Sequence, residues 1–173
     1  MKNLLTLDAQ LSQRLRLAEK PGPLRNTAII LAHSGDSWFW LLALAGVWLA
    51  GNAEWKRLAL ILGLGIVMTA GIVLAVKFTV RRQRPAGEWG AIYRSTDPHS
   101  FPSGHAARAI LLGILTLIVG PTWLGLALLV WGPLVALARV AMGVHYVSDI
   151  AAGALLGGLL GWALGAWLPL MVK

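Results

Sequence analysis

The chain has no cysteine and little charge. With no cysteine among its 173 residues, disulfides, thiolate zinc sites and cysteine nucleophiles are excluded, while the redox compartment stays open. Only 13% of the residues are charged, against about a quarter in an ordinary soluble domain. Acids are scarcest: seven Asp and Glu stand against fifteen Lys and Arg, a formal net charge of +8. In a soluble protein that excess would point to nucleic acid. Here 57% of the residues are hydrophobic. The charges gather in short stretches, leaving apolar runs of about the length that crosses a bilayer. This composition predicts an all-α, polytopic transmembrane bundle of about five to six helices. It forms a single domain over residues 1–173, since no linker is long enough to separate a second. Arg81, Arg82, Arg84, Arg94 and Arg108, five of the ten arginines, lie in or next to the 77–108 region. The basic excess is therefore assigned to membrane lipid headgroups or a phosphorylated substrate, and no nucleic-acid partner is expected. A cleavable leader is not expected either, because Asp8, Gln10, Ser12, Gln13 and Arg14 interrupt the N-terminus before an apolar run forms.

Along the chain, residues 4–20 read as an N-terminal amphipathic helix. Leu4, Leu7, Leu11, Leu15 and Ala18 recur at helical spacing, and the Pro21-Gly22-Pro23 turn ends it. Such a helix lies in the headgroup layer or packs on the bundle. Two apolar pieces follow, Thr27–Ala32 and Trp38–Ala50, around His33-Ser34-Gly35-Asp36. The expectation for that interruption is a solvated turn, with a second polar site at His33 and Asp36 as the alternative. Leu58–Val80 is a clear span, and residues 81–101 form the only sizeable polar loop. Ser103–Gly120, Trp123–Met142 and Val147–Val172 are the remaining apolar helices, with Gly143 as a helix stop.

In the last of these, Gly153, Gly157, Gly161 and Gly165 repeat every four residues. The stripe lets a neighbouring helix approach closely. Internal packing is the expected use, and a homodimer face is the alternative.

Polar groups at membrane depth are costly and mark function by default. If 103–120 and 123–142 both span, the loops 81–102 and 143–146 share a side. Lys77, Arg84, His105, Arg139 and His145 then meet at one membrane surface. Pro102-Ser103-Gly104-His105 reads as a helix start, whose free N–H groups and dipole favour an anion. Ser103 is placed to cap the helix or donate to that anion. Gly104 permits close approach of the backbone. Lys77, Arg84 and Arg139 add fixed positive charge, and arginine suits the bidentate recognition of phosphate oxygens. His145 and Asp149 are four apart on one helical turn. The carboxylate can therefore accept from one imidazole nitrogen and leave the other free to attack.

The order Lys77-x6-Arg84-Pro85, Pro102-Ser103-Gly104-His105 and Arg139-x5-His145-x3-Asp149 resembles the three-part signature of the type 2 phosphatidic acid phosphatase family. This is the membrane branch of a superfamily that includes vanadium haloperoxidases and soluble bacterial acid phosphatases. The motifs span residues 77–149. Ala138 departs from the pattern, since the family usually has serine before that arginine, and one hydroxyl contact to phosphate is missing.

The resemblance implies a lipid phosphatase acting on a phosphate monoester or diphosphate lipid: phosphatidic acid, phosphatidylglycerol phosphate or undecaprenyl diphosphate. It implies that His145 is the nucleophile and forms a phosphohistidine, with Asp149 orienting it. His105 would protonate the leaving group and then activate water. Lys77, Arg84, Ser103, Gly104 and Arg139 would hold the phosphoryl oxygens. Arg108, three residues after His105, is the best-placed candidate for reading the headgroup. The alternative is a non-catalytic phospholipid-binding protein using the same pocket.

The basic loop 81–101 would by charge alone be cytoplasmic. The resemblance instead implies a plasma-membrane protein with an extracytoplasmic site. It also implies no metal and no cofactor, because the fixed cations stabilise the transferred phosphoryl group. Activity should therefore survive EDTA at full rate. Loss on chelation that a divalent ion restores would overturn this.

Overall fold

The computed structural model describes residues 2–171. Eight helices run in chain order: α1 (Lys2–Arg14), α2 (Pro23–Ser34), α3 (Ser37–Ala50), α4 (Ala53–Val80), α5 (Glu88–Thr96), α6 (Gly104–Val119), α7 (Thr122–Ala141) and α8 (Val147–Met171). No strand occurs among the described residues; Gln83 and His99 form one isolated bridge. The expected all-α bundle is found. α4, α7 and α8 are each long and apolar enough to span a membrane, and α2 with α3 makes a fourth candidate bent by 55°. α6 is apolar but has only 16 residues, about 24 Å at 1.5 Å per residue.

α6 is the axis of the bundle. Ala106, Ala107, Ala109, Leu111, Leu112 and Leu115 along it are completely buried. Leu111, Leu112 and Leu115 form the main core with Ile61, Leu62 and Ile66 of α4, Leu128 of α7 and Leu164 of α8. The outward faces are apolar instead of polar. Val67, Phe78, Val130, Leu155 and Trp162 are all more than half exposed, which in water would favour aggregation and in a bilayer is the expected surface.

α4 starts at Asn52, whose side chain accepts from the Trp55 amide, a standard N-cap that satisfies one free helix donor. Its 28 residues extend about 42 Å, longer than the hydrocarbon layer of about 30 Å. One end of α4 must therefore reach the headgroup level, and Lys77 lies in the last turn. Arg81 then takes a left-handed conformation (φ 53°) and turns the chain back across the bundle.

Three expectations change. The first helix stops at Arg14, and residues 15–22 are turns. Its faces are also used in an unexpected way. Leu4, Leu5, Leu7 and Leu11 are exposed, while Ser12 is buried and Asp8 is nearly so. The polar side packs on the protein: the Val147 amide donates to Ser12 Oγ, and the Ser148 amide to Asp8 Oδ1. α1 therefore caps α8, as the packing reading expected, and leaves its leucines outward. Second, the 81–101 loop contains α5. Third, the α2–α3 break is not a solvated turn, since Ala32 and Gly35 are buried.

The glycine stripe is used inside the chain. A Cβ at Gly153 would lie 2.4 Å from the Ser103 carbonyl oxygen, and one at Gly157 would lie 2.0 Å from that of Ala107. At Gly165 it would meet Ile118 Cδ1 at 2.6 Å. α8 thus seats its glycines on the backbone of α6, and that face is not left for a second copy. Gly71 of α4, by contrast, has nothing within 4 Å of a built Cβ. Gly157→Ala should cost about 1–3 kcal/mol through overpacking, read as a lower unfolding midpoint in detergent. Gly71→Ala should be neutral or slightly stabilising. Equal midpoints for the two variants would refute the packing role.

Candidate active site

Each predicted motif sits at a helix end, and backbone bonds lock the ends together. The Ser103 amide donates to the Asp149 carbonyl at 3.0 Å, joining the start of α6 to the first turn of α8. Ser103 Oγ caps α6 by accepting from the Ala106 amide at 3.5 Å. After α7, Gly143 adopts φ +68°, the left-handed geometry that glycine takes without a steric penalty. The amides of Val144 and His145 then both return to the Arg139 carbonyl, at 3.0 and 3.3 Å. Arg139 and His145 are thereby held on one tight turn.

His145 and Asp149 are both essentially fully buried. His145 Nδ1 faces Asp149 Oδ2 at 3.4 Å, and its Nε2 faces Arg84 Nη1 at 3.2 Å. The same Asp149 oxygen accepts from the Tyr146 amide at 2.9 Å, and Oδ1 accepts from Arg82 at 2.8 Å. Arg82 also donates to Asp8 Oδ2 at 2.6 Å and stacks over the Tyr146 ring, 3.9 Å from its centroid. A chain of charge-assisted bonds thus fixes the Asp149 carboxylate from the side opposite the histidine.

Three cations gather beside this pair, and one carboxylate answers two of them. Lys77 Nζ and Arg84 Nη2 both donate to Asp97 Oδ2. Arg84 Nε also donates to the Asp97 carbonyl at 2.6 Å. Arg139 donates to the Tyr93 hydroxyl at 3.0 Å and lies over its ring. Arg139 Nε is buried with no hydrogen-bond partner among the described residues. Burial of an uncommitted guanidinium donor is costly, so this N–H is available to an acceptor. Burial works to raise the Asp97 carboxyl pKa, but the Lys77 hydrogen bond and the charges of Lys77 and Arg84 outweigh it and hold it below the ordinary range. Burial pushes the Arg84 guanidinium down from its ordinary value. Burial, opposed by the Asp149 bond and reinforced by Arg84 and Arg139, lowers His145 to about 3. The imidazole is therefore neutral at physiological pH, with Nε2 carrying a lone pair.

A cavity of about 490 Å³ opens next to the cations. Lys77, Asp97, Tyr93, Gly104, His105 and Arg108 line its polar part, with Asp36 and Ser37 from the α2–α3 break. Trp38, Ala70, Val73 and Leu74 line its apolar part. A Cβ at Gly104 would meet only Val73, at 3.4 Å, so packing does not require glycine there. His145, Arg84 and Arg139 do not line the cavity; His145 meets Arg84, which in turn binds Asp97 on the cavity wall.

All eight sequence-predicted residues lie at this end of the bundle. Arg108 lines the cavity but commits three of its five N–H donors to the α2–α3 break: Nε and Nη2 go to the Gly35 carbonyl and Nη1 to Ser37 Oγ. The motifs do not indicate Tyr93, Asp97, Arg82, Asp8 or Asp36. The helical spacing of Trp89, Ile92 and Tyr93 was the available signal for α5. Asp36 was offered only as the alternative to a solvated turn at 33–36, and the structure sets it against His33 and His105 on the cavity wall.

The fold is that of a helical membrane protein whose polar site sits at one end of the bundle. A sequence model of the PAP2 superfamily matches residues 58–171, and the chain belongs to that superfamily. It is 37% identical over 150 residues to decaprenylphosphoryl-5-phosphoribose phosphatase of Mycobacterium tuberculosis, covering 84% of this chain and 80% of that one. It is 25% identical to the undecaprenyl-diphosphatase of Sulfolobus acidocaldarius, over 86% of this chain and 68% of that protein. The crystal structure of the transmembrane PAP2-type phosphatidylglycerolphosphate phosphatase of Bacillus subtilis superposes with a TM-score of 0.77 at 22% identity. That match covers 100% of this chain and 89% of that one. LpxE of Aquifex aeolicus gives 0.67 at 22% identity, over 90% and 94%.

The state of His145 sets a pH dependence of stability. In the unfolded chain the imidazole titrates near 6.5, and in the folded one near 3. Between these values the unfolded state binds the extra proton, so stability is lost as pH falls from about 6.5 towards 3, with a slope of about 1.4 kcal/mol per pH unit for one group. His145→Gln should flatten the decline in unfolding midpoint between pH 6.5 and 4. An unchanged slope would mean that the folded imidazole is protonated in that range.

Proposed function

We propose that this protein releases phosphate from the headgroup of a membrane lipid through a phosphohistidine on His145. The observation that carries the reading is the buried, neutral imidazole, held at Nδ1 by Asp149 and facing Arg84 at Nε2, with Arg139 close enough to act on its charge. The substrate phosphate takes the position on Lys77 and Arg84 that Asp97 holds, and occupies the uncommitted Arg139 donor. Drawing Arg84 onto the phosphate frees the Nε2 lone pair. Nε2 attacks phosphorus, the ester P–O bond breaks, and the leaving oxygen takes a proton from His105. Water then attacks the phosphohistidine, its proton passes to His105, and the P–N bond breaks to give inorganic phosphate. Lys77, Arg84, Arg139 and the Ser103–Gly104 helix start stabilise the developing charge in both steps.

The apolar wall of the cavity supports a lipid substrate. Trp38 and Leu74 line the cavity and are also well exposed on the lipid-facing surface, so a chain anchored in the bilayer reaches the site sideways. Relatives named for a decaprenyl-linked sugar phosphate and for undecaprenyl diphosphate favour a polyprenyl-linked phosphate over a diacyl lipid. The site faces the extracytoplasmic side of the plasma membrane, and the arginines of 81–101 serve the site instead of signalling topology.

Phosphate release by detergent-purified protein should be measured on phosphatidic acid, phosphatidylglycerol phosphate, undecaprenyl diphosphate and a polyprenylphosphoryl phosphoribose. At least one should be turned over, and His145→Ala should lower that rate by about 10³-fold or more. Binding of these lipids without release by the folded protein would instead support a non-catalytic lipid-binding protein.

A further inference from the structure

The break between α2 and α3 is braced from three helices. Arg108 of α6 donates to the Gly35 carbonyl through Nε and Nη2, at 2.9 and 2.5 Å, and to Ser37 Oγ at 2.5 Å. Trp131 of α7 donates to Ser34 Oγ, and Trp40 of α3 to the Ser34 carbonyl, each at 2.9 Å. Gly35 is seated so tightly that a Cβ would lie 2.7 Å from Val135 Cγ1 and 3.3 Å from His105 Cδ2. Interrupting a helix at membrane depth leaves carbonyls that must find partners; here buried Arg108 binds that of Gly35 and the Trp40 indole that of Ser34, while Trp131 holds the Ser34 hydroxyl. A bend that served only as a connection would not need a guanidinium committed to it.

The result of this bracing is the position of one carboxylate. Asp36 Oδ1 lies 2.7 Å from His105 Nε2, and Oδ2 lies 3.1 Å from His33 Nδ1. Asp36 and His105 both line the cavity. We propose that Asp36 is a positioning residue for His105: it accepts the Nε2–H bond, fixes the ring, and leaves Nδ1 as the nitrogen that exchanges a proton with the leaving oxygen and with water. This inference rests on the proposed phosphatase reading. Asp36 keeps its charge throughout. In the first step the Nδ1 proton goes to the alkoxide as the P–O bond breaks. In the second, Nδ1 takes the proton of the attacking water as the P–N bond breaks. A carboxylate against one ring nitrogen stabilises the imidazolium that gives up its proton in the first step and is restored by the second, the role an aspartate plays towards a catalytic histidine in hydrolase triads. Asn at position 36 keeps the shape but removes the charge and offers an amide that favours the wrong tautomer.

The test separates the two steps by leaving group. An alkyl phosphate such as phosphatidic acid needs a proton on its leaving oxygen, whereas p-nitrophenyl phosphate does not. Wild type, Asp36→Asn and His145→Ala should be compared in rapid-quench experiments on both. With Asp36→Asn, formation of the phosphoenzyme from phosphatidic acid should slow by about 10²–10⁴-fold, the usual range for general acid–base catalysis. From p-nitrophenyl phosphate it should slow by less than about 10-fold. A burst of nitrophenolate should then appear, followed by slow turnover, because water activation still needs His105. A loss of the same size on both substrates would assign Asp36 to folding alone and overturn the inference, while His145→Ala without any phosphoenzyme would leave the phosphatase reading standing. If wild type forms no phosphoenzyme from either substrate, the phosphatase reading falls and this inference with it.

Discussion

Three like charges held out of water beside one another are the constraint on which the site depends. Lys77 and Arg139 are each at most 4% exposed, and so is Arg84. Burying one such charge without a partner costs several kcal/mol, and mutual repulsion adds to it. The protein answers with Asp97, which binds Lys77 and Arg84 together, and with the Tyr93 ring, which faces both arginines. Both come from α5 or the residue after it. α5 is therefore the element that makes the cation cluster tolerable when no phosphate is bound. The compensation is incomplete at Arg139 Nε, and under the proposed function the substrate phosphate would relieve that shortfall.

Holding those charges in register requires stiff helix ends, and the α6–α8 contact provides them. Glycines at 153 and 157 bring the α8 backbone onto the carbonyls of Ser103 and Ala107, and the Ser103 amide closes on the Asp149 carbonyl. The same closeness places Asp149 beside the start of α6, so packing in the middle of the bilayer and geometry at the surface are one arrangement. α1 completes it from outside the spans. Asp8 and Ser12 cap α8, and Asp8 shares Arg82 with Asp149.

How much of this could be read in the sequence depends on distance along the chain. The spans were legible because apolar length is a direct requirement of the bilayer. The helix-end residues were legible because charges at membrane depth stand out. His145 and Asp149 were legible because four residues make one helical turn. The Asp36–His105 pair was not, since 69 positions separate its members and no periodicity links them. A short interruption with His, Ser, Gly and Asp has the composition of a solvated turn. Only the packing of α6 and α7 against it turns it into part of the site. Arg108 was legible only in part: its spacing from His105 put it at the cavity, which it lines, while the acceptors that bind it lie in a distant segment. α5 was missed because nine residues among many charges carry too short an apolar pattern to stand out.

The two histidines differ in access to water, and the difference matches what the proposed chemistry asks of each. His145 is 1% exposed and sits behind Arg84, whereas the His105 side chain is 17% exposed and faces the cavity. A nucleophile gains from being desolvated and neutral, since its lone pair is then unhydrated and available when Arg84 moves to the phosphate. A general base for hydrolysis must instead meet the water it activates. Each ring is held by a carboxylate that has a second partner of its own: Asp149 binds Arg82, and Asp36 binds His33. An anchored carboxylate fixes the tautomer and rotamer of its histidine. The two differ in what anchors them, a guanidinium in one case and a half-exposed imidazole in the other. A guanidinium stays charged at all accessible pH values, so the orientation of His145 is held constant, while the second pair is connected to a titratable group at the surface.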